Sequence, residues 1–271
     1  MSSGSLSSVF ATMQSKGEKD MESSKTRRDF LRTSAIVGTG LVLASCGGGN
    51  MSNSAEQKKD EPAKPDENKM GGEVTATEDL MREHGILRRA LLVYSASVIR
   101  LRGNPSSIAP EALQKTAKLF RAFGEEYHEK KLEEAYIFPA VKKVGGEAAT
   151  YPDILVVQHN RGREITDYII SATQSAKLGA NNAEPLAKAL ETFVLMYRNH
   201  AAREDTIIFP AWKQTMTGKQ LDEMNDKFED IEHEQFGEDG FEDAVKQIAA
   251  IESSLGLADI SQFTAPPPPK V

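Results

Sequence analysis

The residues best equipped for chemistry lie in the stretch Tyr197-Arg-Asn-His-Ala-Ala-Arg-Glu-Asp-Thr-Ile-Ile-Phe-Pro-Ala-Trp212. His200 and Glu204 are four residues apart, which on an α-helix leaves them about 40° apart on one face and one turn apart in height. A nitrogen and an oxygen donor stacked in this way can grip one cation. Phe193 and Met196 extend the same stripe on one side, and Ile207 and Ile208 extend it on the other. The pair therefore points into an apolar interior, where an ionised Glu costs several kcal/mol unless it is paired, neutral or bound to a cation.

A second copy of the pattern lies upstream in Tyr127-His-Glu-Lys-Lys-Leu-Glu-Glu-Ala-Tyr-Ile-Phe-Pro139. Its ending, Glu-Glu-Ala-Tyr-Ile-Phe-Pro, matches Glu-Asp-Thr-Ile-Ile-Phe-Pro in the first. The chain thus carries two related half-sites. The chain has five histidines, and four of them (His84, His128, His159 and His200) fall one per amphipathic segment, on or beside the apolar stripe. Any one of these alone reads more readily as a hydrogen-bonded core histidine. Four together, with Glu129, Glu133 and Glu204, read as a metal site.

The repeated His, then Glu-Glu or Glu-Asp, then an aliphatic-Phe-Pro ending, resembles the hemerythrin-like (HHE cation-binding) family over roughly residues 75–240. That resemblance implies an all-α fold, an up-down four-helix bundle with a non-haem di-iron centre held between the helices and bridged by carboxylates. Its motifs carry over onto His84, onto His128 with Glu133, onto His159, and onto His200 with Glu204. The sequence departs from the family pattern after His159, where a second histidine is expected four residues on and Arg163 stands instead. Glu129, beside His128, could supply the missing donor. His128 and Glu133 are five residues apart, which in a regular α-helix separates them by about 140°. Either a π-bulge absorbs the extra residue, or Glu129 and Glu133 point inward and His128 enters from the side. Asp205 competes with Glu204, and helical geometry favours Glu204. Tyr127 and Tyr197 precede the ligand groups at His128 and His200 and read equally as donors to the site or as core. His233, off the apolar stripe of its own helix, reads as a surface residue or as an additional partner.

Positioning these groups requires four amphipathic segments. Helix A runs from the Thr75 cap to about Leu101 along Leu80, His84, Leu87 and Leu91. Helix B follows from Pro110 to about Lys143 along Leu113, Phe120, Gly124, His128 and Leu132. Helix C runs from Pro152 or Asp153 to about Ala176 through Leu155, His159, Gly162 and Thr166. Helix D starts at Pro185 and ends near Thr215. Two shorter helices follow, one capped by Thr217 and one around Phe241, Val245 and Ile248, so that residues 75–255 make the bundle with additional C-terminal helices. Residues 256–271 end as an extended Pro-rich tail.

The N-terminal part has a different character. Arg27-Arg28 with Phe30-Leu31, followed by the apolar run to Ala44, resembles a twin-arginine export signal and is too short for an ordinary spanning helix. Leu43-Ala-Ser-Cys46 resembles a lipobox, so residues 1–45 read as signal and Cys46 as the lipidated end of the mature chain. Residues 46–74 are too polar to bury a core and read as a tether. Cys46 is the only cysteine, so the metal ligands must be His and carboxylate. Loss of residues 1–45 leaves 27 basic against 36 acidic residues, a net charge of −9, which excludes an ordinary nucleic-acid binder.

The expected function is accordingly a di-iron protein, with two irons per chain, that binds or reacts with O2, nitric oxide or peroxide at the cell envelope. Its membrane contact would be the lipid anchor alone. Two alternatives stand beside it. A di-iron oxidase or peroxidase would use two Glu-x-x-His pairs, of which only Glu125-Glu-Tyr-His128 qualifies well and Asp230-Ile-Glu-His233 poorly. A bundle storing iron or held together by zinc uses the same ligand types.

Overall fold

Thr75 opens the first helix, α1 (Ala76–Gly103), by accepting the Glu78 N–H on its hydroxyl. Glu78 and Asp79 in the first turn and Arg100 and Arg102 in the last suit the helix dipole. The computed structural model describes residues 74–237 and 240–269; the expected signal and nearly all of the tether, residues 1–73, lie outside the described residues. These described residues are all helical or loop, without a strand.

Helix α2 starts with Pro110 in its first turn and runs through Pro110–Leu119, Phe120–Ile137 and Phe138–Val144. Its middle segment is wound more widely than an α-helix. Helix α3 (Pro152–Ala172) stops short of the expected Ala176, because the apolar stripe ends at Ile169 and residues 174–177 are exposed. Helix α4 opens at Ala180, upstream of the expected Pro185. Buried Ala183, Leu186, Ala187 and Leu190 carry its apolar face across the proline, outweighing the one hydrogen bond that proline removes. The helix continues through a wide turn at Glu204–Ile208 to Phe209–Lys213. A full capping box between Thr217 and Gln220 starts α5 (Gly218–Phe236), and α6 (Gly240–Ser254) follows.

Helices α1 to α4 form a closed ring in which each packs against its two neighbours, and α5 and α6 lie against α1 and α2. Side-chain contacts fix the register. Arg88 pairs with Asp205 and Arg102 with Glu191, so α1 and α4 run antiparallel. His159 meets His200, and a Cβ at Gly162 would collide with Tyr197, which sets α3 against α4 in the same sense. The fold is therefore the up-down bundle with extra C-terminal helices. Phe120, Phe193 and Tyr94 fill one part of its core with edge-on ring contacts, and Trp212 stacks on Phe228 of α5.

The wide winding ends in the same way in both helices, although it spans Phe120–Ile137 in α2 and only Glu204–Ile208 in α4. Phe138 donates its N–H to the Glu133 carbonyl and Phe209 to the Glu204 carbonyl, five residues back in both cases. Each Phe precedes a proline, Pro139 or Pro210, which has no N–H and whose ring would strike the carbonyl four residues back. Widening the turn relieves that clash. The repeated Ile-Phe-Pro ending thus accounts for the last wide turn, directly after each Glu, while in α2 the wide winding already begins at Phe120.

Candidate metal centre

When hydrogen bonds run five residues back, a spacing of five is close to one full turn, so His128 and Glu133 share a face. Nε2 of His128 lies 3.3 Å from Glu133 Oε1. On α4 the shorter spacing gives 2.9 Å between His200 Nε2 and Glu204 Oε1. The remaining contacts cross between halves, with His159 Nε2 at 3.3 Å from Glu133 Oε2 and His84 Nε2 at 3.5 Å from Glu204 Oε2. Each carboxylate therefore presents one oxygen to the His84–His128 pair and the other to the His159–His200 pair. The imidazole rings of the two pairs lie 4.7 and 4.8 Å apart.

Every one of these six side chains is at least 97 % buried. None of the four oxygens of Glu133 and Glu204 receives a hydrogen bond, nor does His128 Nε2. Four buried carboxylate oxygens without donors are costly unless positive charge lies beside them. A metal beside the imidazoles would satisfy them, and the nitrogen and oxygen donors suit iron or zinc. The residues present thus fit a bound metal.

The imidazoles are aimed by their other ring nitrogens. Nδ1–H of His84 donates to Asp205 at 2.7 Å, that of His128 to Glu83 at 2.6 Å, that of His159 to Glu134 at 2.8 Å and that of His200 to Gln158 at 2.9 Å. With Nδ1 as donor, a neutral ring turns the lone pair of Nε2 to the centre. Each supporter is the sequence neighbour of a ligand on another helix: Glu83 beside His84, Glu134 beside Glu133, Gln158 beside His159, Asp205 beside Glu204. Sequence reading missed Glu83, Glu134 and Gln158. The signal was present as a polar residue beside each inward-facing donor, where an amphipathic stripe alone has no reason to keep one.

Electrostatics in the metal-free site follow from this crowding. Burial opposes charge on His159, but Glu129, Glu133 and Glu134 outweigh it and push its pKa up to about 10. Burial likewise opposes charge on His128, which Glu133 and Glu83 overcome. Glu133 is resisted by burial yet held well below the usual carboxylate range by His128 and His159. Burial is also the main cause that pushes Glu125 up to about 7, next to Thr166 and Arg121.

A family model described as the hemerythrin HHE cation binding domain matches residues 75–212. The chain belongs to this hemerythrin family. It is 40 % identical over 239 residues to the uncharacterized proteins Mb2018 of Mycobacterium bovis and Rv1995 of Mycobacterium tuberculosis, covering 88 % of this chain and 90 % of theirs. No solved structure matches it.

Within this hemerythrin domain the other sequence candidates fall outside the six-residue set. Glu129 is buried on the same helix, but Tyr197 donates to its Oε1 at 2.8 Å and Arg163 to its Oε2 at 3.3 Å. Tyr127 donates to Glu83 and so reaches the site one step removed. Asp205 supports His84 and pairs with Arg88. His233 is half-buried on α5 and joins none of the ligand clusters found among the described residues. A cavity of about 10 Å³, bordered by His84, His128, Glu129, Glu133, Tyr197, His200 and Glu204, adjoins the ligands. It has room for about one water-sized molecule. A larger cleft of about 520 Å³ between the ends of α2 and α3 is lined in part by Glu134, which accepts from His159, and by Phe138, whose ring stacks on His159.

Proposed function

We propose that this hemerythrin-family chain holds two non-haem irons, one against His84 and His128 and the other against His159 and His200, with Glu133 and Glu204 shared between them. The observation that carries this reading is the division of each carboxylate between the two imidazole pairs. Bound iron would supply an electron-rich centre able to take O2, nitric oxide or peroxide. The chain's own residues determine which reaction is favoured. Three of the four imidazoles donate to carboxylates, which makes them more basic and stabilises the higher oxidation state. Peroxide-type chemistry is therefore favoured over reversible O2 carriage. Burial of all six ligands excludes bulk water, and the adjoining cavity limits entry to ligands of a few atoms. The test is to mix anaerobic iron(II)-loaded protein with O2 or hydrogen peroxide and then deaerate. Oxidised spectra that persist are expected, whereas return to the starting spectrum on deaeration would support carriage instead.

We also propose, separately from the metal site, that the chain is exported to the cell envelope and anchored by lipid at Cys46. The support for this is the order of Arg27-Arg28, apolar run and Cys46 in residues outside the described part. Cys46→Ala should leave an unprocessed or soluble product, and Arg27→Lys with Arg28→Lys should retain the precursor in the cytoplasm. Membrane fractionation identical to the parent in both variants would contradict it.

A further inference from the structure

We infer that Arg163 and Tyr197 hold Glu129 off the metal pair, keeping open a coordination position that faces the small cavity. The inference rests on the di-iron reading. Glu129 is a buried carboxylate that borders the cavity together with both bridging carboxylates, and it forms with Glu134 and His159, whose Nδ1 lies 4.0 Å from its Oε2, a further group able to hold a cation, so it is within the ligand environment. An unrestrained anion beside two cations would bind one of them. Here its two oxygens are engaged elsewhere, Oε1 by the Tyr197 hydroxyl and Oε2 by the Arg163 guanidinium.

The restraint is built from several elements. Arg163 is itself fixed by Glu134 at 2.7 Å and by the Glu125 carbonyl at 3.3 Å. Tyr197 reaches Glu129 across α3 only because position 162 is glycine, since a Cβ there would overlap the phenol oxygen. The guanidinium thus serves as an internal cation that competes with the metal for Glu129. Arg163 and Tyr197 are positioning residues, acting on the site through Glu129.

Azide, a small anion that needs an open position on iron, is the probe. The full chain is loaded with iron, its metal content measured, and azide titrated by absorption. The parent is expected to hold about two irons and bind azide. Arg163→Met with Tyr197→Phe should keep both irons but weaken azide at least about tenfold, because Glu129 moves onto the vacated position. Adding Glu129→Gln should restore azide binding. Tyr197→Phe alone, which preserves ring packing, should weaken azide in the same direction by a smaller factor, and this covers the case in which the double variant fails to fold. Azide binding unchanged from the parent in the variants that fold overturns the inference while leaving the di-iron reading intact. So does loss of an iron in Glu129→Gln alone, which would make Glu129 a ligand already. A parent chain without iron would instead overturn the di-iron reading, and this inference with it.

Discussion

Glu133→Ala or Glu204→Ala is expected to leave a folded chain with essentially no paired metal. Each carboxylate faces both imidazole pairs, so its loss removes one oxygen from each ion and the negative charge that offsets repulsion between two cations. Interactions of charges a few ångströms apart in a dry site are far stronger than in water. Terminal ligands cost less. His84→Ala removes one nitrogen from one ion and leaves the other ion its ligands, and its cost should be at least the about 10–100-fold in affinity that loss of a partner merely orienting a ligand commonly brings. His233→Ala, outside the ligand clusters, should retain the parent's metal content. Metal analysis of purified variants checks the order. If Glu133→Ala kept the coupled pair and Glu129→Ala lost it, the bridge would be Glu129 and the register assigned to α2 would be wrong.

Removing metal from the parent is expected to lower its melting temperature by about 8–16 °C at free metal near a thousandfold above Kd. Binding to the folded state alone contributes about 4 kcal/mol under that condition, and a domain of this size shifts by about 2–4 °C per kcal/mol. Without metal the Glu204 oxygens keep no hydrogen-bond donor, and Glu133 has only the protonated His128 and His159 beside it, so compensation is partial. The effect depends on pH with a definite sign. His128 and His159 are held protonated in the metal-free site, and their Nε2 atoms must lose those protons to bind metal. Uptake therefore releases protons, and affinity falls as pH is lowered. Melting curves with and without a chelator, repeated at several pH values, measure both effects. Equal melting temperatures would show that the six ligands are satisfied without metal.

Much of this was legible in the sequence because the bundle is written in one period. Leu80, Leu87 and Leu91 with His84, or Leu113, Phe120 and Leu132 with His128, place donor and core on one stripe, so a helix and its inward chemistry are read together. The boundaries that failed, Ala176 and Pro185, are places where punctuation and burial disagree. A stretch with no apolar face ended α3 early, and Ala183, Leu186 and Ala187 extended α4 through a proline. The winding of α2 was readable only as two alternatives, and the wide stretch runs over Phe120–Ile137, far longer than the single bulge that a five-residue spacing suggests. Glu83, Glu134 and Gln158 could not be found from periodicity. Their positions beside ligands say that something polar points inward, but the histidine each one serves lies on a different helix and is fixed only by the packing register.

The most direct test of the two-ion centre is quantitative metal analysis of full-length chain purified from iron-replete cells, together with its absorption in the oxo-bridge charge-transfer region. The geometry predicts about two irons per chain with that absorption present. A reproducible value near one, or zinc alone, would contradict it.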